Sequence, residues 1–309
     1  MNCMETILEM PMNEISLSDN FGVMIEAGAG QSLSDMPGTS ILEKVRSSGA
    51  LLLRGFAGDL QQFEAFTQTV ALRFIHNGND DREALGDEGR TRSVTPGQAF
   101  VGPHSEFSYT PFRPDLLFFY CLRPAASGGA SLLWDGREIW QDMPASIKDM
   151  FLNKQIVFKY SRVNVGFFSQ FVNQASAEEV CALLDAVPNL QYTLDGDALD
   201  IDYATRAFVE EGAGSPCAFS NSIAVLPETV FHDGSTLDPI AKGELLALAL
   251  KNTVRIDTVP GDVIVIDNWR TMHGREAFED RERRICIRMG YADALPRGLA
   301  IENIEEVEY

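Results

Sequence analysis

Four histidines occur in the 309 residues: His76, His104, His232 and His273. One stands in the stretch FVGPHSEFSYTPFRPD (100–115), where a carboxylate follows two positions later, in His104-Ser105-Glu106. Residues two apart on a β-strand point to the same side, so His104 and Glu106 could converge on one point in a barrel mouth. Alone, such a pair reads more simply as two polar surface residues, since short matches are common by chance. His273, just past the apolar run DVIVIDN (262–268), adds a second imidazole. Two imidazoles and one carboxylate form the facial set that holds non-haem Fe(II) and leaves three coordination positions open on one side. There is no thiolate set of the kind that builds a structural zinc site. Imidazole ligates in its neutral form, so metal affinity should fall as His104 and His273 take up protons.

Cations follow the distal histidine. Arg284 lies eleven residues beyond His273 and Arg288 four further on, in RRICIRMGY (283–291). Ile285 and Ile287 alternate with them, which sets the two arginines on one side of a strand and the isoleucines on the other. A planar guanidinium can grip a carboxylate through two parallel hydrogen bonds. Arg281 and Arg283 belong to the charged turn EDRERR (279–284) and read as solvent-facing. His76 and His232 are unassigned. Trp134, Trp140 and Trp269 read as core aromatics, with Trp269 near enough to His273 in sequence to line a site.

The elements that must position these residues are mostly short strands. ALLLRGF (50–56), LLFFYCL (116–122), ASLLWDG (130–136), QIVFKYS (155–161), TVRIDTV (253–259), DVIVIDN and RRICIRMGY read as β, with further short strands at 190–194, 205–210 and 216–219. Helical spacing occurs in SILEKVRSSG (40–49), in 59–74, where Leu60, Phe63, Phe66, Val70 and Phe74 share a face, from about 137 to 153, in SAEEVCALLDAV (176–187) and in PIAKGELLALALKN (239–252). Ser176 and Glu179 have the spacing of a capping box. Strands and helices do not alternate regularly, which argues against a doubly wound sheet. The pattern predicts an all-β core with helices: a jelly roll, or double-stranded β-helix, decorated by N-terminal and inserted helices. We read residues 1–309 as one domain with a helical insertion at about 162–250. The polar stretches 76–98 and 162–176 read as lids over the barrel mouth.

With 45% hydrophobic residues the chain can bury a large core. Lys and Arg number 25 against 45 Asp and Glu, a formal charge of −20, which disfavours nucleic acid and anionic membranes as partners. The five cysteines are scattered without a CxxC pair and read as reduced thiols. The N-terminal residues are too acidic for a secretory leader, and no run is long enough to span a membrane, so a cytoplasmic protein is expected.

From about residue 40 to 292 the chain resembles the taurine dioxygenase family (TauD/TfdA-like) of Fe(II)- and 2-oxoglutarate-dependent oxygenases. HSEFSY with RPDLLFFYCLRPAASGGASLLWDGREIW is similar to that family's first ligand strand, its FxC strand and its Gly-Gly-x-Thr segment. PGDVIVIDNWRTMHGREAF and RRICIR are similar to its second ligand strand and closing arginines. The resemblance implies His104, Glu106 and His273 as iron ligands. It implies Arg284 and Ser131 as the holders of the distal 2-oxoglutarate carboxylate, with Ser131 standing where threonine is usual. It implies Arg288 as a contact for an anionic substrate. Glu106 replaces the commoner aspartate, as in the clavaminate-synthase-like branch, and its presence argues against a halogenase. Trp269 stands where many members have arginine. FVNQASAEEV and CAFSNSIAVLPETVFHDGSTL resemble the syringomycin-type amino acid hydroxylases, which implies Asn221 facing the site; a turn asparagine is the alternative.

The reaction so implied is oxidation of an unactivated C–H bond, most simply hydroxylation, with 2-oxoglutarate and O₂ converted to succinate and CO₂. Desaturation, epoxidation and cyclisation are the branch outcomes, and specialised metabolite biosynthesis is the setting that the sub-branch suggests. The implied substrate is small and anionic or amino-acid-like. A carrier-tethered aminoacyl group is the alternative, disfavoured because carrier proteins are acidic like this chain. Two other classes remain open: a non-catalytic jelly-roll binding module, and a metal hydrolase using His and Glu, which leaves Arg284, Ser131 and the Gly128-Gly129 turn unexplained.

Overall fold

Two apolar runs without polar alternation, Leu116–Arg123 and Val263–Asp267, pair antiparallel at the centre of the larger sheet, with Val263 opposite Tyr120 and Asp267 opposite Leu116. Continuous hydrophobicity is what a strand covered on both sides requires. The computed structural model describes residues 13–76, 82–86, 89–172, 176–211 and 215–293, the side chains of 211 and 215–217 excepted. In it the larger sheet runs Asn13–Ser16, Val23–Glu26, Ala50–Arg54, Val263–Asp267, Leu116–Arg123, Arg284–Tyr291, Thr91–Ser93, Ala84–Gly86. Arg73–Phe74 also pairs with Arg284–Tyr291. A second, four-stranded antiparallel sheet runs Val254–Ile256, Ser131–Asp135, Thr271–Arg275, Val101–His104. The two sheets make the expected double-stranded β-helix.

The larger sheet has two differently covered faces. Leu117, Ile264, Ile266, Ile287 and Met289 share a core with Leu132, Leu133 and Trp134 of the smaller sheet. Leu51, Leu53, Phe118, Tyr120, Val265 and Cys286 pack instead against Ile41 and Val45 of helix Gly38–Ser48 and Phe63, Phe66 and Val70 of helix Leu60–Val70. Burying each such side chain stabilises the fold by roughly 1.5–3 kcal/mol. Helix Leu60–Val70 begins where Asp59 accepts from Gln62 N (2.9 Å). It stops at Val70, so Phe74, expected on its apolar face, sits on the short strand Arg73–Phe74. The helix expected over 137–153 is two, Gly136–Asp142 and Ala145–Asn153, because Pro144 caps the second and cannot continue the first.

The segment 162–250 holds strands as well as helices. Ile156–Asn164, Leu190–Asp195, Ala198–Thr205 and Val230–Phe231 form a third sheet, beside helices Ala177–Asp185 and Pro239–Lys251. The Ser176–Glu179 capping box forms, Ser176 N donating to Glu179 Oε2 (2.7 Å). Within 76–98, read as a loop, Ala84–Gly86 and Thr91–Ser93 pair at the edge of the larger sheet, while 77–81 and 87–88 lie outside the described residues. So do 173–175 of the other stretch read as a lid. Cys121, Cys181 and Cys286 are free thiols. No helix among the described residues is long and apolar enough to cross a membrane.

Candidate active site

His104 ends the strand Val101–His104, and His273 lies opposite it in the neighbouring strand Thr271–Arg275. His273 therefore sits on a separate strand of the smaller sheet rather than at the end of Val263–Asp267. The imidazole rings are 4.2 Å apart, centroid to centroid. Glu106 joins them by a different route from the one expected. The strand stops at His104, and Glu106 stands in a turn followed by Phe107 at φ 54°. A turn, not strand alternation, brings the carboxylate alongside. Its Oε2 lies 3.8 Å from His104 Nε2 and 3.7 Å from His273 Nε2. One ligand atom from each of the three residues lies within 4.8 Å of the others.

The surroundings prepare these atoms for a cation. His104 Nδ1 is 3.0 Å from Gly102 O, which favours the tautomer whose Nε2 lone pair is free. His273 Nδ1 is buried with no hydrogen-bond partner among the described residues. Burial first, then His104 and the Arg82 guanidinium, hold the His273 imidazole well below its usual range, so it is neutral. Glu106 Oε1 is taken by Arg82 Nη2 at 3.0 Å, leaving Oε2 toward the imidazoles. The Glu106 backbone is gripped by Asn268, which accepts from Glu106 N (3.0 Å) and donates to Glu106 O (2.9 Å) and Pro114 O (2.9 Å). Two nitrogen donors and one hard oxygen fit Fe(II) with a face open to the cavity.

The lowered His273 pKa has a direction that can be checked. The unfolded chain takes up this proton near the ordinary histidine value, about 6.5, the folded chain only at lower pH. Between the two the unfolded state binds more protons, so this contribution to stability is complete above the unfolded value and declines as the pH falls toward the folded one. Metal-free protein should lose thermal stability between about pH 7 and 5, and His273→Gln should flatten that part of the profile. An unchanged slope in the variant would assign the loss to other groups.

The three residues line a cavity of about 400 Å³ that also touches Arg82, Tyr109, Phe119, Ser131, Arg275 and Arg283. Such a volume suits a small-molecule site. At one end Arg275 and Arg283 both lie over the Phe278 ring, at 4.9 and 5.3 Å. Burial, and secondarily Arg275, lowers the Arg283 pKa to about 10. Arg283 Nε donates to Gly129 O (3.1 Å). Gly128 and Gly129 have φ of 69° and 68°, and a Cβ on Gly129 would come within 3.1 Å of the Arg283 side chain. The glycine pair thus makes room for a half-buried guanidinium.

The other expected site residues lie elsewhere. Arg284 is half-exposed, 51%, and meets Glu83 at 3.0 Å outside this cavity. Arg288 is fully buried on the helix-covered face, its Nη1 donating to Thr91 Oγ1 (2.7 Å) and its guanidinium 4.2 Å from the Phe74 ring centre. Arg284 and Arg288 do share a face, but it is the outer one; Ile285 and Ile287 line the cavity. Arg283, read as solvent-facing, turns inward instead. Asn221 spends its amide on Ala207 O (2.6 Å) and Ile223 N (2.9 Å), and its backbone O accepts from Ser105 N (3.0 Å); it shapes the turn and does not line the cavity. Trp269 has a structural account: its Nε1 donates to Asp115 Oδ1 (2.9 Å) and Arg113 covers its ring at 4.6 Å.

Residues 26–289 match the family described as "Taurine catabolism dioxygenase TauD, TfdA family". Dioxygenase str8 of Strobilurus tenacellus is 23% identical over 80% of this chain, which spans about half, 53%, of that longer protein. Tyrosine isonitrile desaturase of Pseudomonas aeruginosa is 23% identical, over 85% of this chain and 84% of its own. Among solved structures, PvcB of Pseudomonas aeruginosa is similar at a TM-score of 0.58, 17% identity and 94% coverage of both chains. A second structure of PvcB describes it as an Fe, alpha-ketoglutarate dependent oxygenase from an isonitrile synthetic pathway. With the family match covering most of its length, the chain belongs to the TauD/TfdA dioxygenases, Fe(II)- and 2-oxoglutarate-dependent oxygenases of the double-stranded β-helix fold.

Proposed function

We propose that this protein oxidises an unactivated C–H bond of a small anionic or amino-acid-like molecule, by hydroxylation, at the cavity between the two sheets. In this reading His104, Glu106 and His273 hold Fe(II), and Arg283 with Ser131 holds the far carboxylate of 2-oxoglutarate. The observation that carries it is one carboxylate oxygen within 3.8 Å of two imidazole Nε2 atoms, in a cavity that Arg275 and Arg283 also line. Bound there, Fe(II) with 2-oxoglutarate supplies the O₂-dependent chemistry that oxidises the substrate and yields succinate and CO₂.

The chain's own residues bind, orient and exclude water. Arg82 on Oε1 favours ligation through the single oxygen Oε2 and keeps the open face toward the cavity. Arg283 replaces Arg284 as the anchor because a half-buried guanidinium beside a second one is stabilised by a bound dicarboxylate. Phe107, Phe119, Val225, Ile264 and Ile287 make the wall apolar and limit water near the reacting bond. Desaturation is the second reading, supported by the name of one relative. At −20 overall, the chain favours a free small molecule over a group borne by an acidic carrier.

The test is an anaerobic titration of metal-free protein with Fe(II) and 2-oxoglutarate, watched for the visible metal-to-ligand charge-transfer band. The band should form in the native protein and be lost in Glu106→Ala. Folded, iron-loaded protein without a band would sink the reading.

A further inference from the structure

Arg82 is only half used by the site as described. Its side chain is 9% exposed, and Nη2 donates to Glu106 Oε1 (3.0 Å) and to Thr95 Oγ1 (3.0 Å). Nε and Nη1 are buried with no hydrogen-bond partner among the described residues. Buried donors without acceptors are unfavourable, and a buried guanidinium half without a partner is more so. Tyr109 lines the same cavity, and both Glu106 and Arg82 act on its phenol. Burial is the larger influence and holds the phenol in its protonated form, a hydrogen-bond donor in the same cavity as the guanidinium.

The charge in the cavity points the same way. Its walls carry three guanidiniums, Arg82, Arg275 and Arg283, against one carboxylate, Glu106. A divalent metal and a doubly charged co-substrate cancel each other, with the imidazoles neutral. Two positive charges are then left in a largely apolar enclosure, which is unfavourable until an anion enters. Arg288, expected to meet that anion, is buried on the far face of the sheet and is not available.

We propose that Arg82, with the Tyr109 hydroxyl of the same cavity, receives an anionic group of the organic substrate, a carboxylate or an isosteric oxyanion, and so makes the protein select acids over their neutral analogues. The proposal rests on the oxygenase reading and deepens it. Arg82 also holds Glu106, so an anion seated on it brings the neighbouring carbons close to the open side of the ligand set, with the rest of the molecule along Phe107 and Phe119. The same chemistry could be met by a carboxylate of 2-oxoglutarate itself, and the variants separate the two sources.

The experiment is calorimetry under argon on protein loaded with Fe(II) and 2-oxoglutarate, using paired probes: hexanoate with hexanamide, and 3-phenylpropionate with 3-phenylpropionamide. The native protein should bind the acid of at least one pair about tenfold or more tightly than its amide. Arg82→Gln keeps an N–H for Glu106 but not the charge; it should abolish the preference, and Arg82→Lys should restore part of it. Because Arg82 also holds Glu106, weaker Fe(II) binding is expected in both variants, so each is saturated with Fe(II) before the probes are added; the affinity of the iron-loaded proteins for 2-oxoglutarate should change less than about threefold. Equal binding of acid and amide by the native protein, or no binding of either, overturns the proposal. A preference that survives in Arg82→Gln does the same. Loss of 2-oxoglutarate binding in the iron-loaded variants would give Arg82 to the co-substrate and overturn the proposal. The band is read before any probe is added, and its absence from the native protein would remove the oxygenase reading and this proposal together.

Discussion

Arg283→Met is expected to weaken 2-oxoglutarate binding by about 30- to 1,000-fold, while Arg284→Met changes it less than about threefold. Truncating one partner of a buried, hydrogen-bonded charge pair costs about 2–4 kcal/mol, and each 1.4 kcal/mol is tenfold. Arg284 has no such partner to lose in the cavity: it is half-exposed and paired with Glu83, an arrangement worth about 0–1 kcal/mol. The stability of the ligand-free proteins separates a lost anchor from a damaged fold. Arg283 is half-buried at a cost that lowers its pKa, and its Nε donates to Gly129 O. Replacing it by an apolar chain of similar length should leave the melting temperature unchanged or raise it. Native protein should gain stability on adding 2-oxoglutarate and Fe(II), and Arg283→Met should not. The reverse pattern, with Arg284→Met losing the co-substrate, would return the anchor to the position expected from the sequence.

That Arg284 lies outside the cavity and Arg283 lines it has a physical reason. Alternation along RRICIRMGY fixes which residues share a face but not which face is inside. Both faces of this strand are buried, one against the smaller sheet and the other against the two N-terminal helices, so hydrophobicity does not choose between them. A register shift between Arg284 and Ile285 further separates the turn from the strand and lets Arg283 swing inward. The neighbouring Gly128-Gly129 carried a usable signal, since two left-handed glycines make space for something large, here the Arg283 side chain. The clustering of His104, Glu106 and His273 was legible because the chain has so few histidines and because a carboxylate stands beside one of them. Arg82 was not, because nothing periodic marks a residue in a polar stretch that reaches the site through space. Most strands were legible from their apolar runs. Thr271–Arg275 was not, because it is short and its one clear signature, His273, reads as a ligand rather than as part of a strand.

Asn268→Ala is expected to destabilise the protein by about 3–5 kcal/mol and to weaken Fe(II) binding by about 10- to 100-fold. The side chain is fully buried and ties the turn bearing Glu106 to the loop between Val263–Asp267 and Thr271–Arg275. Removing it strands Glu106 N, Glu106 O and Pro114 O, three buried backbone groups, each costing about 1–3 kcal/mol unless relaxation or water repairs it. Asn268→Asp distinguishes the contacts. A carboxylate can still accept from Glu106 N but cannot donate to either carbonyl, so it should recover little stability and should add repulsion from two carbonyl oxygens. The metal effect follows from position, not charge. Glu106 stands in a turn with no strand ladder to hold it, and Phe107 at positive φ leaves that turn strained. Asn268 is the clamp that turns a mobile carboxylate into a preorganised ligand. Fe(II) affinity measured at a temperature where both variants remain folded separates the two effects. Native-like affinity in a destabilised Asn268→Ala would mean that Arg82 alone orients Glu106. Lost affinity there, with Arg82 intact, would mean that the backbone clamp is required as well.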